Sequence, residues 1–217
     1  MTRMRGLYPI VDLDSLSKNG VAALELTAAV LSARPPLLQL RAKHQTPREV
    51  LALLRRIRPL CKEVGTLLFA NDRPDLALLA EADGVHVGQD DLPLEDVRKL
   101  PGKLRVGVST HDLSQLRQAL TLRPDYVAFG PIFTTSSKVG ADPALGLVEL
   151  ERAARMAQDA AIPLVAIGGL TLEVAGDVAR SGAVAAVISD LFANGTGFDE
   201  IAGRARDWQA ALALATT

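Results

Sequence analysis

Leu37-Leu38-Gln39-Leu40-Arg41-Ala42-Lys43-His44-Gln45-Thr46-Pro47-Arg48-Glu49 contains one complete passage from strand to helix. Leu37 to Arg41 is a short apolar run, the pattern of a buried strand. Thr46 is placed to cap a helix, Pro47 stands at its first position, and Glu49 follows three residues after the cap. Together they form a capping box that marks the helix start.

The same unit recurs on either side. Leu7 to Val11 reads as a first strand, with a helical stretch from Val21 to Ala33 after it. Further strands are expected at Leu67–Ala70, Gly84–Gly88, Leu104–Val108, Tyr126–Phe129, Leu164–Ile167 and Ala183–Ile188, with a last amphipathic helix from about Phe198 to Leu214. These runs are apolar on both faces, as strands of a parallel sheet covered by helices are. Eight units leave an open doubly wound sheet or a closed barrel. The count favours the barrel, which closes with eight strands and leaves no edge. No linker interrupts the series, so the reading is α/β, a single (β/α)8 TIM barrel over residues 1–217.

Composition narrows the function. The chain has 217 residues, 23% charged and 48% hydrophobic, which excludes disorder. Its net charge is −1, without the basic excess of a nucleic-acid binder. Cys61 is the only cysteine, so an intrachain disulfide and a cysteine-rich metal site are excluded, and a buried thiol is expected. No stretch approaches the ~20 apolar residues that span a bilayer. Nor does Met1 to Ile10 carry a signal-peptide core. A soluble, cytoplasmic protein is expected, without nucleic acid or membrane as partner.

In such barrels functional groups sit where strands end. Here those positions carry Gln39, Arg41 and Lys43 after strand 2, Asn71-Asp72-Arg73 after strand 3, and Gly88-Gln89-Asp90-Asp91 after strand 4. Ser109-Thr110-His111 follow strand 5, Gly130 to Lys138 strand 6, Gly168-Gly169 strand 7 and Ser189 strand 8. Gln39, Arg41 and Lys43 alternate at period two and point to one side. Two cations there repel each other unless an anion lies between them, and a phosphate or pyrophosphate fits. Asp72 and one of Asp90 or Asp91 are placed as a carboxylate pair, a donor set suited to Mg²⁺ with substrate phosphates; spacing alone does not choose between the latter two. Asp72 has a plainer reading as the helix cap beside Pro74. Gly168-Gly169 with Ser189 match the phosphate site that barrels build from the loops after strands 7 and 8. His86 reads as a barrel-lining residue, His111 as a helix cap and His44 as exposed. No nucleophile elbow and no dinucleotide fingerprint are present. A pyrophosphate leaving group at one site and a phosphate handle at the other point to alkyl transfer between two phosphorylated small molecules.

The chain resembles the thiamine-phosphate synthase family along its whole length. The resemblance is carried by Gln39-Leu40-Arg41-x-Lys43, Asn71-Asp72-Arg73, Gly84-Val85-His86-Val87-Gly88-Gln89-Asp90-Asp91 and Gly107-Val108-Ser109. It continues in Gly130-Pro131-Ile132-Phe133, Thr135-Ser136-Ser137-Lys138, Ala166-Ile167-Gly168-Gly169 and Val187-Ile188-Ser189. The family joins a hydroxymethylpyrimidine diphosphate to a thiazole phosphate. The resemblance implies that Gln39, Leu40, Arg41, Ala42, Lys43, Asn71, Ser109 and Lys138 hold the pyrimidine diphosphate, with Arg41, Lys43, Lys138 and Ser109 catalytic. It implies Mg²⁺ on Asp72 and Asp91, and the thiazole phosphate on Thr135, Ser136, Ser137, Gly168, Ile188 and Ser189. The implied mechanism is dissociative, with pyrophosphate leaving before the thiazole nitrogen attacks. A homo-oligomer is compatible with this reading.

The sequence departs from the family at three places. Val11 precedes Asp12 where Thr is frequent, Ser137 replaces Thr, and Asp190 follows Ser189 where a small apolar residue is common. Asp190 is expected to point away from the phosphate. Two rival readings share the barrel or its ligand. A related thiazole tautomerase carries His where this chain has Pro131 and lacks the Asn-Asp-Arg motif. A non-catalytic sensor of thiamine phosphate would not need Lys43, Asp72, Asp91 and Lys138 together.

Overall fold

The computed structural model describes residues 4–134 and 143–214. Eight parallel strands close into a barrel in sequence order: β1 (Leu7–Asp12), β2 (Leu37–Arg41), β3 (Leu67–Asn71), β4 (Gly84–Val87), β5 (Arg105–Thr110), β6 (Tyr126–Phe129), β7 (Leu164–Ile167) and β8 (Val184–Val187). Around them run α1 (Leu13–Asn19), α2 (Ala23–Leu31), α3 (Pro47–Val64), α4 (Pro74–Leu79), α5 (Leu94–Val97), α6 (Leu113–Thr121), α7 (Gly146–Asp159), α8 (Ala175–Ser181) and α9 (Phe198–Leu214). The closing pair β1–β8 aligns Tyr8 with Ala186, so no strand edge is left open.

Strand alternation divides the apolar residues into two cores. Leu38, Leu40, Leu68, Val85 and Val127 point outward and pack with the helices, including Leu54 and Ile57 of α3 and Trp208 of α9. Tyr8, Leu37, Phe69, Tyr126, Val165 and Val184 fill the barrel interior. Two strand glycines make room for its aromatic rings. A Cβ on Gly84 would lie 2.4 Å from Phe69, and one on Gly107 2.0 Å from Tyr126. The interior is therefore a packed floor beneath the mouth.

The capping box forms as read: Thr46 Oγ1 accepts from Glu49 N, and Glu49 Oε2 accepts from Thr46 N at 2.8 Å. The helix expected over Val21–Ala33 forms as α2. A short helix not expected from the sequence precedes it: Asp12 accepts a 2.8 Å hydrogen bond from Ser15 N and opens α1, which ends at Gly20 in a left-handed turn (φ 66°). Asp112, not His111, caps α6, accepting from Gln115 N at 2.8 Å. Arg73 occupies the N-cap of α4, so Asp72 does not serve as its cap. Cys61 is buried in the outer core, and burial pushes its thiol up to about 12, as expected of a structural residue.

Candidate active site

The strand ends open into one cavity of about 640 Å³. Its composition changes from one side to the other.

On the β2–β4 side, Gln39, Arg41 and Lys43 all reach the cavity, as their alternation predicts. Leu40 does not join them; it lies in the outer core, and Ala42 packs against that core as well. The opposite faces of a strand cannot both line the mouth, so these two offer a ligand only backbone. The two cations are not left facing each other. Arg41 pairs with Asp12, its register partner on β1, and Lys43 pairs with Asp72. Asp12 is 1% exposed and also caps α1, so one carboxylate ties a helix start to the strand-2 cation.

Asn71 ends β3 and lines the cavity beside Asp72. Asp72 adopts a left-handed backbone (φ 61°), a conformation Asp tolerates, and its N–H donates to His86 O at 2.8 Å. This turn carries its carboxylate to both Lys43 and Asp91. Burial holds the Asp72 carboxyl above its ordinary value; the neighbouring Asp91 adds to that, and Lys43 opposes it. Both candidates after β4 line the cavity, but Asp91 is the one that reaches Asp72, its Oδ2 also accepting from Gly88 N at 2.7 Å, whereas Asp90 is exposed. Two carboxylates pressed together against this bias form an oxygen donor pair suited to a hard divalent cation. Among the described residues no group of three or more His, Cys, Asp and Glu is placed for a metal, so further ligands would be water or substrate oxygen.

The floor is a buried polar chain. Gln39 Nε2 donates to Tyr8 Oη (2.9 Å), the Tyr8 and Tyr126 hydroxyls lie 2.8 Å apart, and Tyr126 Oη meets His86 Nδ1 at 2.9 Å. His86 Nε2 in turn meets Ser109 Oγ at 2.8 Å. Burial pushes the His86 imidazole down to about 4, so it is neutral near pH 7. A neutral imidazole has one N–H, so it donates on one side and accepts on the other. The orientation of Ser109 is thereby coupled to the two tyrosines, whose hydroxyls burial keeps protonated. His86 is the satisfied lining residue expected, and His44 is exposed.

On the β7–β8 side the lining carries no charged side chain among the described residues: it is apolar residues such as Val165, Ile167 and Ala186 with two glycines. Gly168 (φ 95°) and Gly169 (φ 63°) turn the chain where a side chain would not fit. A Cβ would fall 2.5 Å from Pro131 Cβ at the first and 2.4 Å from Thr134 O at the second. Ile188 and Ser189 complete this side. Asp190 does point away, as expected. It is buried against α9, where Arg204 donates to both carboxylate oxygens (3.0 and 2.8 Å) and Trp208 Nε1 donates at 2.6 Å. The predicted residues Thr135, Ser136, Ser137 and Lys138 lie outside the described residues.

Sequence reasoning missed Asp12, Tyr8 and Tyr126. The signal for both tyrosines was strand parity: Tyr8 shares the face of Ile10, and Tyr126 that of Ala128, both cavity residues. Asp12 was noted only as the end of strand 1, and its link to Arg41 exists through register alone.

Fold and site together define a (β/α)8-barrel enzyme whose mouth has one charged side and one backbone side. A family model described as thiamine monophosphate synthase matches residues 7–191, and the chain belongs to that family. It is accordingly a transferase of thiamine biosynthesis. A thiamine-phosphate synthase of Chloroflexus aurantiacus is 39% identical over 96% of this chain and 93% of its own. Another, of Myxococcus xanthus, is 43% identical over 86% and 84%. Among solved structures, a thiamine phosphate pyrophosphorylase of Pyrococcus furiosus superposes with a TM-score of 0.85 at 27% identity, covering 99% and 98% of the two chains.

Proposed function

We propose that this enzyme couples a hydroxymethylpyrimidine diphosphate to a thiazole phosphate, giving thiamine phosphate and pyrophosphate; a thiazole carboxylate phosphate gives the same products with loss of CO2 and uptake of one proton at the vacated carbon. The observation that carries the reading is the division of one cavity between paired charges on the β2–β4 side and glycine backbone on the β7–β8 side. The charged side suits a diphosphate; the backbone side suits a monophosphate handle.

Arg41 and Lys43 would bind the diphosphate, exchanging their carboxylate partners for substrate oxygens as it enters. Asp72 and Asp91 would hold Mg²⁺, which supplies positive charge to the leaving diphosphate. Gln39, Asn71 and Ser109 would orient the pyrimidine, with Ser109 itself oriented by His86. Gly168, Ile188 and Ser189 would hold the thiazole phosphate; Thr135 to Ser137 and Lys138 are proposed to complete the two subsites.

In the reaction the pyrimidine methylene C–O bond breaks and its electron pair leaves with pyrophosphate. The thiazole nitrogen lone pair then forms the new C–N bond. No proton moves in either event, so no protein base is required, in keeping with a His86 held neutral by burial. Arg41, Lys43 and Lys138 stabilise the growing negative charge by position alone.

The test is a coupling assay with both substrates and Mg²⁺, run beside a metal-free control and Asp72→Ala. Thiamine phosphate formation that requires both the metal and Asp72 is expected. Well-folded protein that forms no product, and instead isomerises the thiazole alone, would replace coupling by ring tautomerisation.

A further inference from the structure

Asp190 places a carboxylate directly after two cavity residues, Ile188 and Ser189, yet it does not line the cavity itself. Such a charge beside a phosphate pocket is unfavourable unless something neutralises it. In this chain the neutralising group is on another element. Arg204 of α9, only 8% exposed, grips the carboxylate through Nε and a terminal nitrogen, and its Nε also lies 3.3 Å from Asp190 O. Trp208, one helical turn further on, donates from its indole Nε1 to the same carboxylate and is fully buried. The proposed chemistry uses none of these three residues.

We propose that Arg204 is a positioning residue of the active site: it sequesters the Asp190 carboxylate and so keeps the β8 side of the mouth open to an anion. Without Arg204, the buried carboxylate would keep only the Trp208 hydrogen bond and no counter-charge, which is strongly disfavoured. The neighbouring Ser189 is exposed and lines the cavity, so a carboxylate that turned toward it would repel a phosphate. Removing the charge together with its partner should therefore undo the damage. A clamp that mattered only for packing would change stability and move both KM values together, not the KM of one substrate.

The proposal rests on the assignment of the thiazole phosphate to this side, and two readouts separate the questions. The first is the KM for each substrate in the wild type, Arg204→Met, Asp190→Asn and the double variant. Arg204→Met is expected to raise the KM for the thiazole phosphate about tenfold, the size of one uncompensated nearby charge. The KM for the pyrimidine diphosphate should stay within about twofold, and the double variant should return close to wild type. The second readout is a titration with inorganic phosphate followed by the fluorescence of Trp208, the only tryptophan. It reports this side of the mouth without turnover and should give the same order. If Arg204→Met does not fold, Arg204→Lys, which keeps the charge but loses the fork, should show the same order with smaller amplitude. A double variant as impaired as its Arg204 parent, both KM values rising together, or phosphate responses that are equal or absent in all proteins would overturn the proposal. A wild type that makes no thiamine phosphate would sink the coupling reaction instead, leaving the phosphate titrations to decide the role of Arg204.

Discussion

The two sides of the mouth prepare for an anion in opposite ways. On the β2–β4 side, side chains carry the charge, and every described cation has a carboxylate at hand: Asp12 for Arg41 and Asp72 for Lys43. On the β7–β8 side, Gly168 and Gly169 present backbone where side chains cannot fit, and the Asp190 carboxylate is held by Arg204. A ligand on the first side must compete with internal ion pairs, so binding there depends on the charge of the ligand and on added cations. A ligand on the second side meets fixed dipoles and a shape, so binding there depends on backbone geometry.

The strongest test of this contrast is Asp72→Ala. It removes one of the two proposed metal donors, and turnover should drop by roughly a hundredfold or more. Activity measured across a Mg²⁺ titration checks it, and an unchanged metal requirement would break the assignment of the charged side. Gly169→Ala probes the other side. The added methyl meets Thr134 O at 2.4 Å with the backbone at φ 63°, so it should cost about 1–3 kcal/mol of stability. It should also raise the KM for the thiazole phosphate selectively; equal effects on both substrates would erase the distinction between the sides.

The floor beneath both sides is tested by pH. The His86 imidazole is pushed from 6.5 to about 4 on folding, so between those values the unfolded chain binds more protons. Its contribution is complete above about pH 6.5 and is lost as pH falls toward 4, of order 3 kcal/mol in all. Denaturant titrations at pH 7.5, 5.5 and 4.5 should show this slope in the wild type and lose it in His86→Gln. The smallest effect is expected at Thr46→Ala, which opens the capping box just beyond Lys43. It should lower stability by about 1 kcal/mol with unchanged kinetics. Altered kinetics there would mean that the charged side depends on the start of α3.

Much of this was legible in the sequence, and the reasons differ by residue. The strands of β2 and β3 and the capped start of α3 follow from local patterns, because alternation and capping act over a few residues. Gln39, Arg41 and Lys43 were placed together correctly by the same alternation. The short helix α1 was missed because Asp12 acts at once as strand end, helix cap and partner of Arg41. The tyrosines of the floor looked like ordinary strand residues, since nothing local tells an inward aromatic from an outward one. Asp190 was noticed as an anomaly, but its partners lie 14 and 18 residues away.

By itself, then, the sequence determined the repeated strand–helix unit, the eight-fold count that closes the barrel, and the strand-end positions where chemistry collects. These depend on short-range periodicity and on the hydrophobic face each element must bury. Only the tertiary structure decided which charge faces which. Arg41 meets Asp12 through strand register, Asp72 meets Asp91 across neighbouring strand ends, and Asp190 meets Arg204 because α9 packs against the turn Ser189–Phe192 that follows β8. Coulomb interactions depend on distance in space, and the closed barrel sets those distances without regard to separation along the chain.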